Sequence, residues 1–297
     1  MRILFYYFLF LPIFTIAQND YGWWNNKHNW DGVTSWQDYM VYSPRYFGPN
    51  ALPIPDATKG AMKLKGELET SLLAQLISGD NTYAFFERGG VPFGKRVFIE
   101  VYGVGLEYYN LDSTKRDERF ARDEDAKGLI GGDIYFSTYL QLIEESDKLP
   151  GVGLRAAIRT ASGLHLKNAR YTDAPGYFFD VSVGKFIVKN ENFNLRLFTM
   201  LGFYAWQTND VNALQNDAIM FSLGADSRYG NWFWKTDFSG FKGYLNNGDF
   251  PLAFRNELGF ENQQFSLGLI SNFGFKDNLY NTFGIRFIEK INWLKMD

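Results

Sequence analysis

Period-two alternation, sustained for roughly ten to fifteen residues at a time from about residue 66 to the C-terminus, constrains this chain more than any other feature. Between Phe193 and Trp206 one face carries Leu195, Leu197, Thr199, Leu201 and Phe203, and the other Asn194, Arg196, Met200, Gly202 and Tyr204. Ile219, Phe221, Leu223 and Ala225 oppose Ser222, Gly224, Asp226 and Arg228 in the same way, and Phe283, Ile285 and Phe287 oppose Thr282, Gly284 and Arg286. Successive side chains of a strand point to opposite faces, so this period means strands and excludes helices over these windows. Aromatic residues at 19% favour the same choice.

The polar face decides what kind of all-β protein this is. A soluble sandwich uses strands of about five or six residues and turns its polar face to bulk water. The strands here are about twice that length, and their polar rows mix Gly, Ser and Tyr with single Arg, Asp and Glu residues, which suits a crowded, wet interior. The expected fold is therefore all-β: a transmembrane antiparallel up-and-down β-barrel, with a soluble sandwich, solenoid or lipocalin-like barrel as the alternatives. Tyr108, Tyr109, Tyr177 to Phe179, Tyr204, Trp206, Tyr229, Trp232 and Trp234 gather near strand ends, where interfacial girdles are expected.

The alternating windows give strands at about 66–77, 81–88, 95–109, 129–143, 151–162, 176–188, 193–207, 217–229, 231–245, 250–260, 263–274 and 279–291. That makes about twelve, or ten if the poorly alternating second window fails. Connections sort by parity into a short set and a set holding Leu111 to Gly128, Gly163 to Pro175 and Gln207 to Asn216, as expected of tight periplasmic turns and longer outer loops, with both termini in the periplasm.

Two segments precede the barrel at 66–297. Residues 1–17 hold Arg2, an apolar run from Ile3 to Ile13 and a small residue at Ala17, and read as a signal peptide. Residues 18–65 do not alternate; they carry Trp23, Trp24, Trp30 and Trp36 and a Pro-rich stretch from Pro44 to Pro55, and read as an N-terminal arm packed at the barrel mouth, a plug, or an aromatic glycan surface. Cysteine is absent, which excludes disulfides and thiolate metal sites, and a net charge of −3 argues against nucleic-acid binding.

The signal ending in Ala17-Gln18, the alternating strands and the final Phe283-Gly284-Ile285-Arg286-Phe287 resemble small bacterial outer-membrane β-barrel proteins, in the style of the Bacteroidota. The resemblance implies outer-membrane lipid and lipopolysaccharide as surroundings and insertion by the outer-membrane assembly machinery. The chain departs from the pattern by continuing past the last strand through Asn292 to Asp297.

Following the alternation places Glu67, Glu69, Glu100, Asp133, Asp180, Asp226, Asp237 and Glu257 in the lumen with Arg155, Arg159, Arg196, Arg228, Lys235, Arg255 and Arg286. Twelve strands give a backbone diameter of roughly 24 Å and a bore of about 10 Å. Opposed charges across such a bore form a constriction, with Arg155 and Arg159 as its positive side, and make a narrow porin-like channel for small polar solutes. The alternative is a closed structural, adhesion or partner-docking barrel in which the same ions pair off.

Catalysis is not expected, nor is any cofactor or metal. A rim lipid hydrolase would need a histidine-activated serine, and His165 with Ser162 and Asp173 does not match the His-x-Ser pattern, because Lys167 stands two residues after His165. His28, the other histidine, lies in the arm, so no histidine pair supports zinc. The charged run from Asp112 to Lys127 reads as a solvated loop: Lys127 stands where a calcium loop needs an oxygen ligand.

Overall fold

The computed structural model describes residues 20–291; the expected signal peptide and the tail from Asn292 to Asp297 lie outside the described residues. Thirteen strands form one antiparallel sheet: β1 Gly66–Ile77, β2 Asp80–Phe93, β3 Val97–Leu111, β4 Lys127–Ile130, β5 Ile134–Ile143, β6 Gly151–Arg159, β7 Gly176–Lys189, β8 Phe193–Asp210, β9 Ala213–Tyr229, β10 Trp232–Gly243, β11 Leu252–Glu261, β12 Phe265–Lys276 and β13 Asn281–Ile291. Twelve close into a barrel through β1 and β13, registered from Gly66 opposite Ile291 to Leu76 opposite Asn281. The short β4 is the extra strand: it pairs with the upper half of β3, while β5 pairs with the lower half.

The expected single strand over 129–143 is thus broken at Gly131, Gly132 and Asp133. The Gly132 amide turns to Val104, and the Asp133 carboxylate accepts the Gly163 amide at 2.7 Å, so the break ties a loop to the wall. The second window is a full strand whose pattern looks poor because it points Phe86 inward and Glu87 outward, beside a bulge at Gly105 on β3. Gln207 to Asn216 is not a long loop: β8 and β9 pair up to Asp210 and Ala213, and the Asp210 carboxylate caps the turn by accepting the Asn212 amide.

The greasy row faces outward. Leu201, Leu223 and Leu269 are 64%, 67% and 62% exposed, while their inward neighbours Met200 and Ser222 are 1% and 2% exposed. Only hydrocarbon can cover so continuous an apolar band, and a closed barrel leaves no strand edge unpaired within it. Among the described residues no helix is long and apolar enough to cross a membrane.

Four of the ten expected girdle residues lie elsewhere. Tyr108, Tyr177, Phe179, Tyr229, Trp232 and Trp234 are exposed on the outside, but Tyr109, Phe178, Tyr204 and Trp206 are buried within the barrel. Adjacent strand residues cannot share a face, so an aromatic pair always divides between lipid and lumen. The interior is correspondingly not wet throughout: Phe178, Met200, Tyr204, Trp206, Met220 and Phe241 pack with Leu52 into an apolar core inside the wall.

Candidate functional site: a bore filled by its own N-terminal arm

The barrel has a short-turn mouth, bounded by the β2–β3, β5–β6, β7–β8, β9–β10 and β11–β12 connections, and a long-loop mouth. Residues 20–48 cap the long-loop mouth. They hold helix α1, Gly22–Lys27, and a single 3₁₀ turn, Trp36–Tyr39. The Trp24 indole donates to the Phe120 carbonyl at 3.2 Å, the Trp206 indole to the Tyr42 carbonyl at 2.9 Å, and the Ser43 hydroxyl to the Asn247 carbonyl at 3.0 Å.

From Pro49 the chain descends through the bore. Asn50 donates to Gln75 at 2.8 Å and Glu107 at 2.7 Å near the long loops, Thr58 donates to Asp180 at 2.7 Å midway, and Lys65 reaches the Gln263 carbonyl at 2.9 Å at the short-turn mouth. The first described residues and Ile291 therefore lie at opposite mouths; the two ends of the chain, expected on one side, lie outside the described residues. A strand β1 that starts at the short-turn mouth leaves an arm capping the other mouth no route but the lumen.

Backbone packing and ion pairs seat the arm. Gly60 lies at φ +65° against the paired wall glycines Gly151 and Gly184, and β-carbons there would meet the arm carbonyls of Gly60 and Lys59 at 2.2 and 2.1 Å. The Lys59 carbonyl accepts from Arg196 at 3.0 Å, the Gly60 amide donates to Ser182 at 3.0 Å, and Gln141 grips both the Gly60 carbonyl and the Met62 amide. Asp56 sits 2.8 Å from Arg88 and 3.5 Å from Arg255, and Lys59 sits 2.8 Å from Asp226.

Two cavities among the described residues lie beside the arm. The larger, about 650 Å³, occupies the short-turn half; Glu67, Glu69, Glu100, Arg155, Arg196, Asp226, Arg228, Lys235, Asp237, Arg255, Glu257 and Arg286 line it. The smaller, about 180 Å³, runs between the arm and the β11–β12–β13–β1 wall as far as Asn278 and Tyr280. Asp56, Arg255, Ile270, Asn272 and Arg286 line both.

Asp133, Arg159 and Asp180 line neither cavity; they are buried struts. Arg159 donates to the arm carbonyl of Ala51 and, at 3.0 Å, to the loop carbonyl of Ala174, and Asp180 holds Arg155 at 2.6 Å. Arg155 and Arg159 consequently do not stand together as one side of a constriction. Sequence reasoning missed Asp56, Lys59 and Lys63, which lie on the non-alternating arm, and Arg88, Glu261 and Lys290 on the wall. Arg88 could have been found by carrying the alternation through the weak second window.

The arm tryptophans do not form one surface. Trp24 is fully buried, Trp23 stacks under the Arg116 guanidinium, Trp36 lies within 5.3 Å of Arg122, and the Trp30 indole donates to Thr34. The charged 112–127 segment is not simply solvated: it forms helix α2, Ser113–Glu118, and buries Arg119, Ala121 and Ala126. Arg119 and Arg170 both reach Asp80 at 2.7 Å, and Arg170 also holds Glu107 at 2.7 Å, closing the long-loop mouth with a buried ionic hub. His165 spends Nδ1 on the Tyr109 hydroxyl at 2.6 Å, while Ser162 bonds Thr160 and the Ile134 amide, so these two do not form a nucleophile–base pair. Burial pushes the His165 and His28 imidazoles below their ordinary range.

A closed twelve-strand wall, apolar outside and filled with paired ions within, defines an outer-membrane β-barrel protein. No family model matches the chain, and no curated protein does. Among solved structures it is similar to the KdgM porin, at 6% identity over 75% of this chain and 98% of that one with a TM-score of 0.44. An outer membrane channel from Pseudomonas putida F1 matches at 9% identity over 80% and 100%, TM-score 0.47, and the β domain of the Bordetella autotransporter BrkA at 9% over 78% and 100%, TM-score 0.46.

Proposed function

We propose that this barrel is a narrow channel for small polar solutes, with its N-terminal arm as a resident plug and the solute path running beside the arm. One observation carries the reading: the two cavities share five lining residues, so together they extend from Glu261 and Lys290 at the short-turn mouth to Asn278 at the long-loop mouth. At the shared level Asp56 meets Arg255, with Arg286 lining the same level. Fixed charges at such a level select by size and dipole. In this reading the long loops face the cell exterior, the short turns face the periplasm, lipid and lipopolysaccharide surround the apolar band, and the outer-membrane assembly machinery inserts the barrel.

A closed scaffold is the second reading, favoured by the apolar core around Trp206 and Phe241, which shuts the β6–β10 side of the bore. Planar-bilayer recording separates the two. The channel reading expects small steps from the full chain and larger, steadier ones from Asp56→Ala. Silence from both, in barrels shown to be folded, leaves the scaffold.

A further inference from the structure

We infer that Arg88, Arg255 and Arg286 form an anion seat whose resident ligand is Asp56, and that a small carboxylate-bearing solute competes with Asp56 for it. The inference deepens the channel reading and rests on it for the solute's route. Each arginine is anchored from the wall: Arg88 by Glu69 at 3.5 Å and Glu100 at 3.8 Å, Arg255 by Asp237 at 2.7 Å, and Arg286 by Glu69 at 2.9 Å and Glu257 at 2.7 Å. Those acids are sunk into the wall, with side-chain exposures of 3% for Glu69, 8% for Glu257, 13% for Glu100 and 17% for Asp237. Asp56 keeps 49% exposure although two guanidinium groups approach it. The wall acids are fixtures. Asp56 stands in open lumen on a segment outside the strand ladder, so it is the carboxylate that can be exchanged.

A solute carboxylate in the place of Asp56 makes the same charge-assisted N–H···O bonds, so the exchange is decided by concentration rather than by contact energy. A tethered group competes at an effective concentration on the order of millimolar, and a free carboxylate must reach a similar level. The chamber favours its approach, because the ions it exposes most after Asp56 are cations: Arg228 at 41%, Lys63 at 39% and Lys59 at 27%. With Asp56 displaced, Lys59 on Asp226 and the glycine seat at Gly60 still hold the arm, so the solute opens the level shared by the two cavities without expelling the plug.

Calorimetric titration of succinate into the full chain in detergent micelles, with erythritol as the uncharged control, tests the seat apart from conduction. Asp56→Ala leaves every wall residue in place and is expected to bind succinate at least tenfold more tightly than the parent. Adding Arg255→Gln to it is expected to lose at least tenfold, and erythritol gives no binding; heat-modifiable gel mobility verifies folding throughout. Equal succinate affinity in the parent and Asp56→Ala, or indifference to Arg255→Gln in a folded barrel, overturns the seat. Binding of the expected pattern in a barrel that is silent in bilayers sustains the seat and removes the channel reading, whereas conductance without succinate binding does the reverse.

Discussion

The carbonyl oxygen of Lys59 lies against Gly184 so closely that a β-carbon on the glycine would stand 2.1 Å from it. Arm and wall meet here backbone to backbone, which only glycine permits. Gly184→Ala is therefore expected to dislodge residues 58–62 at a cost of about 1–3 kcal/mol while leaving the barrel closed. Trypsin cleavage at Lys59 and Lys63 should accelerate, and Gly89→Ala, whose new methyl meets only Leu68 at 3.5 Å, should leave it unchanged. Equal cleavage rates in the two variants would mean that the arm does not rest on this facet.

Most of the wall was legible because period two is a geometric property of strands: Arg196, Asp226, Lys235 and Glu257 reach the lumen wherever their apolar neighbours Leu197, Leu223, Trp234 and Leu258 reach lipid. Alternation says nothing about which inward residues meet across the bore. Arg159 therefore read as a pore-lining charge, although it binds a carbonyl of the arm. The path of residues 49–65 was illegible for a related reason: a chain with no periodicity carries no local sign of what surrounds it, and Gly60 announces its seat only once Gly151 and Gly184 are paired beside it.

Arg170 is fully buried between Asp80 and Glu107, with Thr82 accepting from it at 2.8 Å. Arg170→Met strips a cation from two buried carboxylates, and removing one partner of such a network costs about 3–5 kcal/mol. Urea unfolding in micelles should show that loss. A change below about 1 kcal/mol would mean that Arg119, Asn50 and Tyr171 satisfy the acids alone.

Glu87 points out of the barrel midway along β2, opposite Thr70 and Gly103, with its carboxylate over Gly105. A carboxylate on the lipid face is unfavourable, though less so than a cation. Glu87→Leu is expected to stabilise the barrel by about 1 kcal/mol in lipid vesicles. Destabilisation would place Glu87 outside the hydrocarbon band.

Burial lowers both imidazoles at the long-loop mouth: His28 lies 5.0 Å from the Trp24 ring and 4.7 Å from Phe120, and His165 is bonded to Tyr109. Near His28, Asp117 opposes the shift while Lys27 and Arg116 reinforce it; near His165, Asp123 opposes it while Lys167 and Arg170 reinforce it. Above the ordinary value of 6.5 both the docked and the released cap hold neutral rings, so stability is flat there. As pH falls through 6.5 the released state takes up protons first, so the cap weakens down to the depressed docked values and then levels off. Trp24 fluorescence should report cap release on acidification, and His28→Gln should flatten its share; a response that begins only with the carboxylates, below about pH 5, would refute the assignment.

The arm's course through the bore can be read directly, because the chain contains no cysteine of its own. Thr58 and Asp180 touch at 2.7 Å inside the barrel, whereas Leu201 faces outward. A chain carrying Thr58→Cys and Asp180→Cys, folded in lipid vesicles, is expected to cross-link within itself under a short thiol-specific reagent, and one carrying Thr58→Cys and Leu201→Cys is not. Failure of the first pair in a folded barrel, or cross-linking of the second, would contradict an arm threaded through the lumen.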